Sequence, residues 1–266
     1  MEEVKIIKNQ LEKLANPKIA EHSKQYLKSP YAFYGIRVPD LRKIAKNYKN
    51  LKIYDVYNIF EELWNSGNHE EMCLAIFILE NYKKQFNMET WNFVTNRLDK
   101  AKTWDHVDYL SSAILGRIVL DNTNLYAELK KMSLSQNPWI RRTSMVSNYQ
   151  IIKKNKIELT FRLAEKLCYD EDVYVQKATG WMLREAGKKN RLETQEFITL
   201  HKNMKPIALS YATEKMLDLR KRIKEFKKMQ KANTCTLPDA DILSKCKCEK
   251  AREEKEERSE EVSEKV

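Results

Sequence analysis

The chain has 266 residues, and its 49 Lys and Arg against 38 Asp and Glu give a formal net charge of +11, which favours a polyanionic partner. With only five Gly and six Pro, the composition argues against a β-sandwich or barrel and favours helices joined by short turns. Five scattered cysteines, a charged N-terminus and the lack of an apolar run of ~18–20 residues predict an intracellular protein without disulfides or a membrane span.

Helical periodicity begins at the N-terminus, where Val4, Ile7, Leu11 and Leu14 recur at spacings of three and four residues. Asn16-Pro17, Val38-Pro39 and Asn137-Pro138 have the form of helix starts, with Pro in the first turn. No strand-like alternation is present. Further helical stretches are predicted at 54–66, 69–84, 88–99, 103–120, 122–133, 138–153, 156–168, 172–188, 191–202 and 206–229.

These elements predict an all-α protein, an α-solenoid in which HEAT-like antiparallel helical repeats stack around a concave basic groove. The predicted repeat domain spans residues 1–230. From Lys231 the apolar pattern fades and a run of mixed charge follows. Residues 231–266 are therefore predicted to form a charged, disordered tail, with a solvated helix as the alternative for the charged run.

One predicted helix carries a tryptophan and a carboxylate on the same face. Trp104 and Asp108 are four residues apart in the sequence Trp-Asp-His-Val-Asp, and this spacing stacks them one turn apart. The pair could stabilise a cation. By itself the spacing is more typical of a core tryptophan beside a solvated or capping acid.

Cations at the start of the predicted helix after Asn137 form a second candidate site. Arg141 and Arg142 lie in or near its first turns, where the helix dipole disfavours cations but free backbone N–H groups can bind phosphate. The alternative is a pair of surface arginines in salt bridges. Two further basic pairs lie near predicted helix ends, Lys153-Lys154 and Lys188-Lys189. They could contact a phosphate backbone or form ordinary solvated faces.

A third candidate is the tryptophan at the centre of the 172–188 stretch. Gly180 precedes Trp181, and glycine inside a helix costs ~1 kcal/mol relative to alanine. A close approach of a ligand or of another helix would explain it. The sequence predicts no metal site, because the four His are dispersed and Cys235, Cys246 and Cys248 lack a metal-binding spacing.

The ordered set of these motifs resembles the AlkD family of DNA alkylation repair proteins, over about residues 1–225. The residues that carry the resemblance are Tyr26, Gly35-Ile36-Arg37-Val38-Pro39, Trp104-Asp105-His106-Val107-Asp108, Trp139-Ile140-Arg141-Arg142 and Gly180-Trp181-Met182-Leu183-Arg184-Glu185.

The resemblance implies a monomeric, cofactor-free glycosylase that binds duplex DNA and removes cationic N3- or N7-alkylated purines. It implies that Asp108 is the catalytic carboxylate and that Trp104 and Trp181 flank the deoxyribose. It also implies backbone contacts for Arg142, with Arg141 beside it, and for Tyr26. Two alternatives remain open from the sequence, a non-catalytic binder of damaged or branched DNA and a protein-binding helical scaffold.

Overall fold

The computed structural model describes residues 1–234 of the chain. The chain divides into a first compact unit, Met1–Met216, and a second that begins at Leu217. In the described residues the regular secondary structure is helical, as predicted, and an isolated β-bridge joins Ala32 to Asn68. Among residues 1–234, no helix has the length and apolar character needed to cross a membrane.

The first half of the chain forms α1 to α8. A 3₁₀ turn follows α6, and a π-helical segment, Leu110–Leu115, links α7 directly to α8. The helices are α1 (Glu2–Lys13), α2 (Pro17–Leu27), α3 (Val38–Ala45), α4 (Ile53–Trp64), α5 (His69–Glu80), α6 (Met88–Thr95), α7 (Trp104–Tyr109) and α8 (Gly116–Asp121).

The second half of the chain forms α9 to α16, and several helix starts along the whole chain lie where the sequence signals predict. Asn16 and Asn137 cap their helices through side-chain oxygens, and Pro17, Pro138 and Pro206 each occupy the first position of a helix. These helices are α9 (Leu125–Met132), α10 (Pro138–Val146), α11 (Tyr149–Lys153), α12 (Glu158–Leu167), α13 (Val173–Gly187), α14 (Arg191–Leu200), α15 (Pro206–Ala212) and α16 (Leu217–Thr234).

Two stretches predicted as single helices are each divided in two. The 138–153 stretch breaks between α10 and α11, where Asn148 Nδ2 donates to the Met145 carbonyl at 3.3 Å. The 206–229 stretch breaks after α15, where Thr213 Oγ1 donates to the Leu209 carbonyl at 2.6 Å. In both places a polar side chain binds a carbonyl of the preceding turn, and such bonds compete with the helical ladder. Apart from the end of α16, the tail predicted for 231–266 lies outside the described residues.

Packing inside the first unit follows the pattern of stacked helical pairs. α4 packs along α5, α12 along α13, and α13 also contacts both α10 and α15. α5 is buried along most of its length, from His69 to Leu79. An array in which one helix of each pair contacts the next pair is the arrangement of helical repeat proteins.

The loop between α2 and α3 is anchored to the buried start of α5. One Glu70 carboxylate oxygen accepts backbone N–H groups of Gly35 at 2.8 Å and Ile36 at 3.1 Å, and the other accepts that of Tyr34 at 3.1 Å. Gly35 has a φ of +84°, and a Cβ there would lie 2.1 Å from the Asn16 carbonyl oxygen. The loop therefore requires glycine at this position for both conformation and space.

We expect Gly35→Ala to destabilise the protein far more than Gly67→Ala. Both glycines have positive φ, +84° and +73°, but a Cβ at Gly67 would meet nothing within 4 Å. Gly67→Ala should cost about 1–2 kcal/mol for the left-handed backbone alone, whereas Gly35→Ala must also displace the start of α2. Urea unfolding of the two variants measures the difference, and equal losses would contradict the proposed close contact.

Candidate functional site

Five helices of the first unit border a cleft of about 860 Å³. Its lining includes five of the six residues that the family resemblance places at a site, namely Tyr26, Trp104, Asp108, Arg142 and Trp181, but not Arg141. For the other lining residues the sequence predicted no individual role in a site. They are Lys28, Glu171, Asp172, Val173, Tyr174, Lys177, Arg184 and Tyr211.

Asp108 and Arg142 form a two-pronged ion pair in this cleft. Arg142 Nε donates to Asp108 Oδ1 at 2.9 Å and Nη2 donates to Oδ2 at 2.8 Å. The Asp108 side chain is only 14% exposed and that of Arg142 only 6%, so the pair is little screened by water. Burial raises the pKa of the Asp108 carboxyl above its ordinary value, and the Arg142 charge opposes this rise. The pair therefore supplies a carboxylate whose ionisation depends on its arginine.

The backbone around Asp108 is held by an unusual helical segment. Ser112 Oγ donates to the Asp108 carbonyl at 2.6 Å, and the π-helical segment begins two residues after Asp108. From α11, Gln150 Nε2 donates to the Ser112 carbonyl at 2.7 Å. Single-turn π-helical segments occur frequently at functional sites. The periodic pattern over 103–120 predicts a helix here but gives no sign of this change in winding.

Aromatic side chains border the ion pair. Trp104 meets Tyr26 edge-on with ring centroids 6.1 Å apart, and Trp181 contacts Tyr149 at 5.7 Å. Trp104 and Trp181 are both half-buried, in contrast to Trp64, which is 1% exposed within the core. The two tryptophans in the cleft thus keep part of their surface available to a ligand.

One face of α13 supplies much of the cleft. Tyr174, Lys177, Trp181 and Arg184 recur at spacings of three and four residues and all line it. Helical spacing from Trp181 could have identified Tyr174 and Lys177 in the sequence. At Gly180 a Cβ would lie 2.5 Å from the Ala208 carbonyl oxygen, so the glycine permits close packing of α13 on α15. Of the two explanations given for Gly180, a nearby ligand or a nearby helix, this contact fits the nearby helix.

Arg141 lies apart from the cleft lining, although its neighbour Arg142 belongs to it. Arg141 Nε and Nη2 donate to Asp170 at 2.6 and 2.9 Å, and Nη1 donates to the carbonyls of Ser135 and Gln136. These bonds tie the start of α10 to the loop before α13. The guanidinium is therefore engaged in intramolecular contacts.

The four lysines predicted to contact DNA are also outside the cleft lining. Lys153 lies over the Tyr149 ring, 4.5 Å from its centroid, and Tyr149 in turn contacts Trp181. Lys188 pairs with Glu185 at 2.7 Å. Lys154 and Lys189 are exposed. Their roles in DNA binding stay predictions.

The fold gathers a buried cluster from histidines that are dispersed in the sequence. His69, Cys73 and His106 each place one potential ligand atom within 4.8 Å of the others. The two imidazoles are stacked, with centroids 4.2 Å and planes 25° apart, so their in-plane nitrogen lone pairs do not converge on one ion. This geometry fits a packing element between α5 and α7 better than a metal centre.

An adjacent carboxylate completes this packing element. Asp105 Oδ2 accepts a hydrogen bond from His69 Nε2 at 2.9 Å. Burial would raise the pKa of Asp105, but the His69 hydrogen bond and the nearby imidazoles outweigh it and lower the pKa to about 2. Burial lowers the pKa of His106 to about 4, so that ring is neutral at pH 7. The cluster fixes the start of α7, and thereby the helix that carries Trp104 and Asp108.

Solved structures of similar fold come from two bacteria. A protein from Enterococcus faecalis, described as a predicted DNA alkylation repair enzyme, is 21% identical with a TM-score of 0.67, over 76% of this chain and 96% of its own. AlkD2 from Streptococcus mutans is 17% identical with a TM-score of 0.54, over 67% of this chain and 89% of its own. No curated protein matches the chain significantly. The structural likenesses confirm the predicted all-α solenoid.

The sequence itself matches a family model. The model describes DNA alkylation repair enzymes and matches residues 7–216, which is nearly the whole of the first compact unit, Met1–Met216. The matched range contains every residue of the cleft. The chain therefore belongs to the DNA alkylation repair enzyme family.

Proposed function

We propose that the protein is a DNA glycosylase that hydrolyses the N-glycosidic bond of cationic N3- or N7-alkylated purines in duplex DNA. The observation that carries the proposal is the convergence of Asp108, Trp104 and Trp181 on one cleft. The net charge of +11 supports a DNA substrate.

The chemistry needs few groups because the substrate is already activated. An alkylated purine carries a positive charge, so when the bond from its nitrogen to sugar C1′ breaks, the bonding electrons neutralise the base. No general acid is required. The positive charge then develops on the sugar as an oxocarbenium ion. A fixed carboxylate at Asp108 stabilises that charge, and the indole faces of Trp104 and Trp181 add cation–π attraction.

Water completes the reaction. Its oxygen bonds to C1′ as the base leaves, and its proton passes to Asp108 or to solvent, leaving an abasic site and a neutral base. Asp108 is suited to orient this water because its carboxylate oxygens have lone pairs beyond those bound by Arg142. The lining residues described for the cleft include no Asn or Gln, side chains that often bind adenine edges. Recognition in this proposal therefore depends on the charge of the lesion.

A second candidate function is the binding of damaged or branched DNA without catalysis. The observation that favours it is the engagement of both Asp108 oxygens by Arg142, which is also what a purely structural ion pair would show. In that case Asp108 would only hold Arg142 in place for a phosphate contact.

Release of base distinguishes the two functions. We expect the purified full chain to free N7-methylguanine or N3-methyladenine from a methylated duplex and to leave alkali-labile abasic sites. Chromatography of the released base measures the first product, and strand cleavage by hot alkali measures the second. Binding of the duplex without release above the spontaneous rate would favour the non-catalytic function.

A further inference from the structure

Lys28 combines an unfavourable backbone conformation with a place in the cleft. It ends α2 with φ 50° and ψ 42°, in the left-handed region. Glycine is the residue usually found at such a helix end, and a side chain there costs about 1 kcal/mol or more. In the described residues Asn155 is the other non-glycine residue with positive φ, and Asn tolerates this region well.

Lys28 is a cation of the cleft whose charge has no ion-pair partner within residues 1–234. Four cations line the cleft, namely Lys28, Arg142, Lys177 and Arg184. Arg142 pairs with Asp108, and Arg184 pairs with Glu214 and Glu185. Among the ion pairs of the described residues, none includes Lys28 or Lys177.

We propose that Lys28 and Lys177 bind backbone phosphates of the DNA in the cleft, and that this contact is the role of a lysine at a glycine-favouring position. This assignment rests on the proposed DNA substrate. Strained backbone conformations cluster at active sites and ligand-binding sites, and Lys28 lines the cleft. Among the hydrogen bonds and ion pairs of the described residues, none involves the Lys28 side chain.

Lys177 serves as the second phosphate contact, from a different helix. Its ammonium lies 5.7 Å from the Tyr174 ring centroid, a cation–π distance, so the aromatic ring holds the charge without neutralising it. Because α2 and α13 both contribute to the cleft, phosphates bound at the two lysines would fix the register of the duplex. Such contacts set position without reading sequence.

The test is a substitution with opposite effects on stability and binding. Lys28→Gly should raise the urea midpoint, because glycine relieves the left-handed strain. It should also weaken binding to an undamaged duplex and reduce the slope of log affinity against log salt by about 1, as expected for the loss of one phosphate contact. Lys28→Arg should keep the wild-type slope. Lys177→Gln should reduce the slope by about 1 independently.

Asn155→Gly is the matched control. It replaces the other left-handed residue, which does not line the cleft, and it should leave the salt slope unchanged. An unchanged slope in Lys28→Gly, or a lowered urea midpoint, would overturn the assignment. Failure of the glycosylase proposal would appear separately, as wild-type protein that binds duplex with the full salt slope but releases no base.

Discussion

Asp108→Asn is expected to reduce single-turnover base release by about 100-fold or more, while duplex binding stays close to that of the wild type. The amide keeps the size of the side chain but removes the charge that faces the developing oxocarbenium ion. Loss of one preorganised electrostatic group in an active site typically costs about 10²–10³ in rate. Base release at saturating protein, from a duplex with one N7-methylguanine, measures the chemical step apart from binding.

A second carboxylate of the same cleft supplies the control. Asp172 caps α13 by accepting the backbone N–H groups of Tyr174 and Val175 at 2.8 and 3.1 Å, and Asn is an equally good cap. Asp172→Asn therefore removes one charge from the cleft without disturbing the helix, and should change the rate little. If both variants lose the same fraction of the base-release rate, the total negative charge of the cleft matters and Asp108 has no special role.

The periodic pattern was sufficient to predict the fold class and most helix positions. It also placed Trp104 and Asp108 on one face, because side chains four residues apart in a helix are neighbours. The contact between Asp108 and Arg142 could not be predicted from helical periodicity, because it joins two different helices, α7 and α10. The sequence made Arg142 a candidate for phosphate binding, and the family resemblance implied a contact with the DNA backbone. Only the structure shows that it pairs with Asp108.

The two adjacent arginines illustrate why the rest of the site was not predictable. Successive residues of a helix point about 100° apart, so Arg141 and Arg142 face different neighbours. Arg141 meets Asp170 and Arg142 meets Asp108, and neither partner lies near them in the sequence. Lys28 is a comparable case, because its backbone conformation arises where α2 ends and the sequence gives no glycine there to mark the turn.

Arg142→Gln is expected to shift the acidic limb of the pH–rate profile to higher pH. Burial raises the pKa of Asp108 and the Arg142 charge lowers it, so removing Arg142 leaves the upward effect unopposed. If the ionised carboxylate is the active form, the rate falls as pH drops through this pKa. The variant should therefore lose activity at a pH where the wild type is still fully active, and should recover part of it as pH rises.

Arg141→Gln separates this effect from a general loss of stability. Each substitution breaks a two-pronged arginine–aspartate pair, with Asp108 in one case and Asp170 in the other, and breaking a buried pair costs about 3–5 kcal/mol. Urea unfolding should therefore show losses of similar size, whereas only Arg142→Gln should move the pH–rate profile. If the two profiles shift together, the pH dependence reports unfolding; if neither shifts, ionisation of Asp108 does not limit the rate. A shift confined to Arg142→Gln would mean that this arginine acts on catalysis by keeping a buried carboxylate charged, in addition to any contact it makes with DNA.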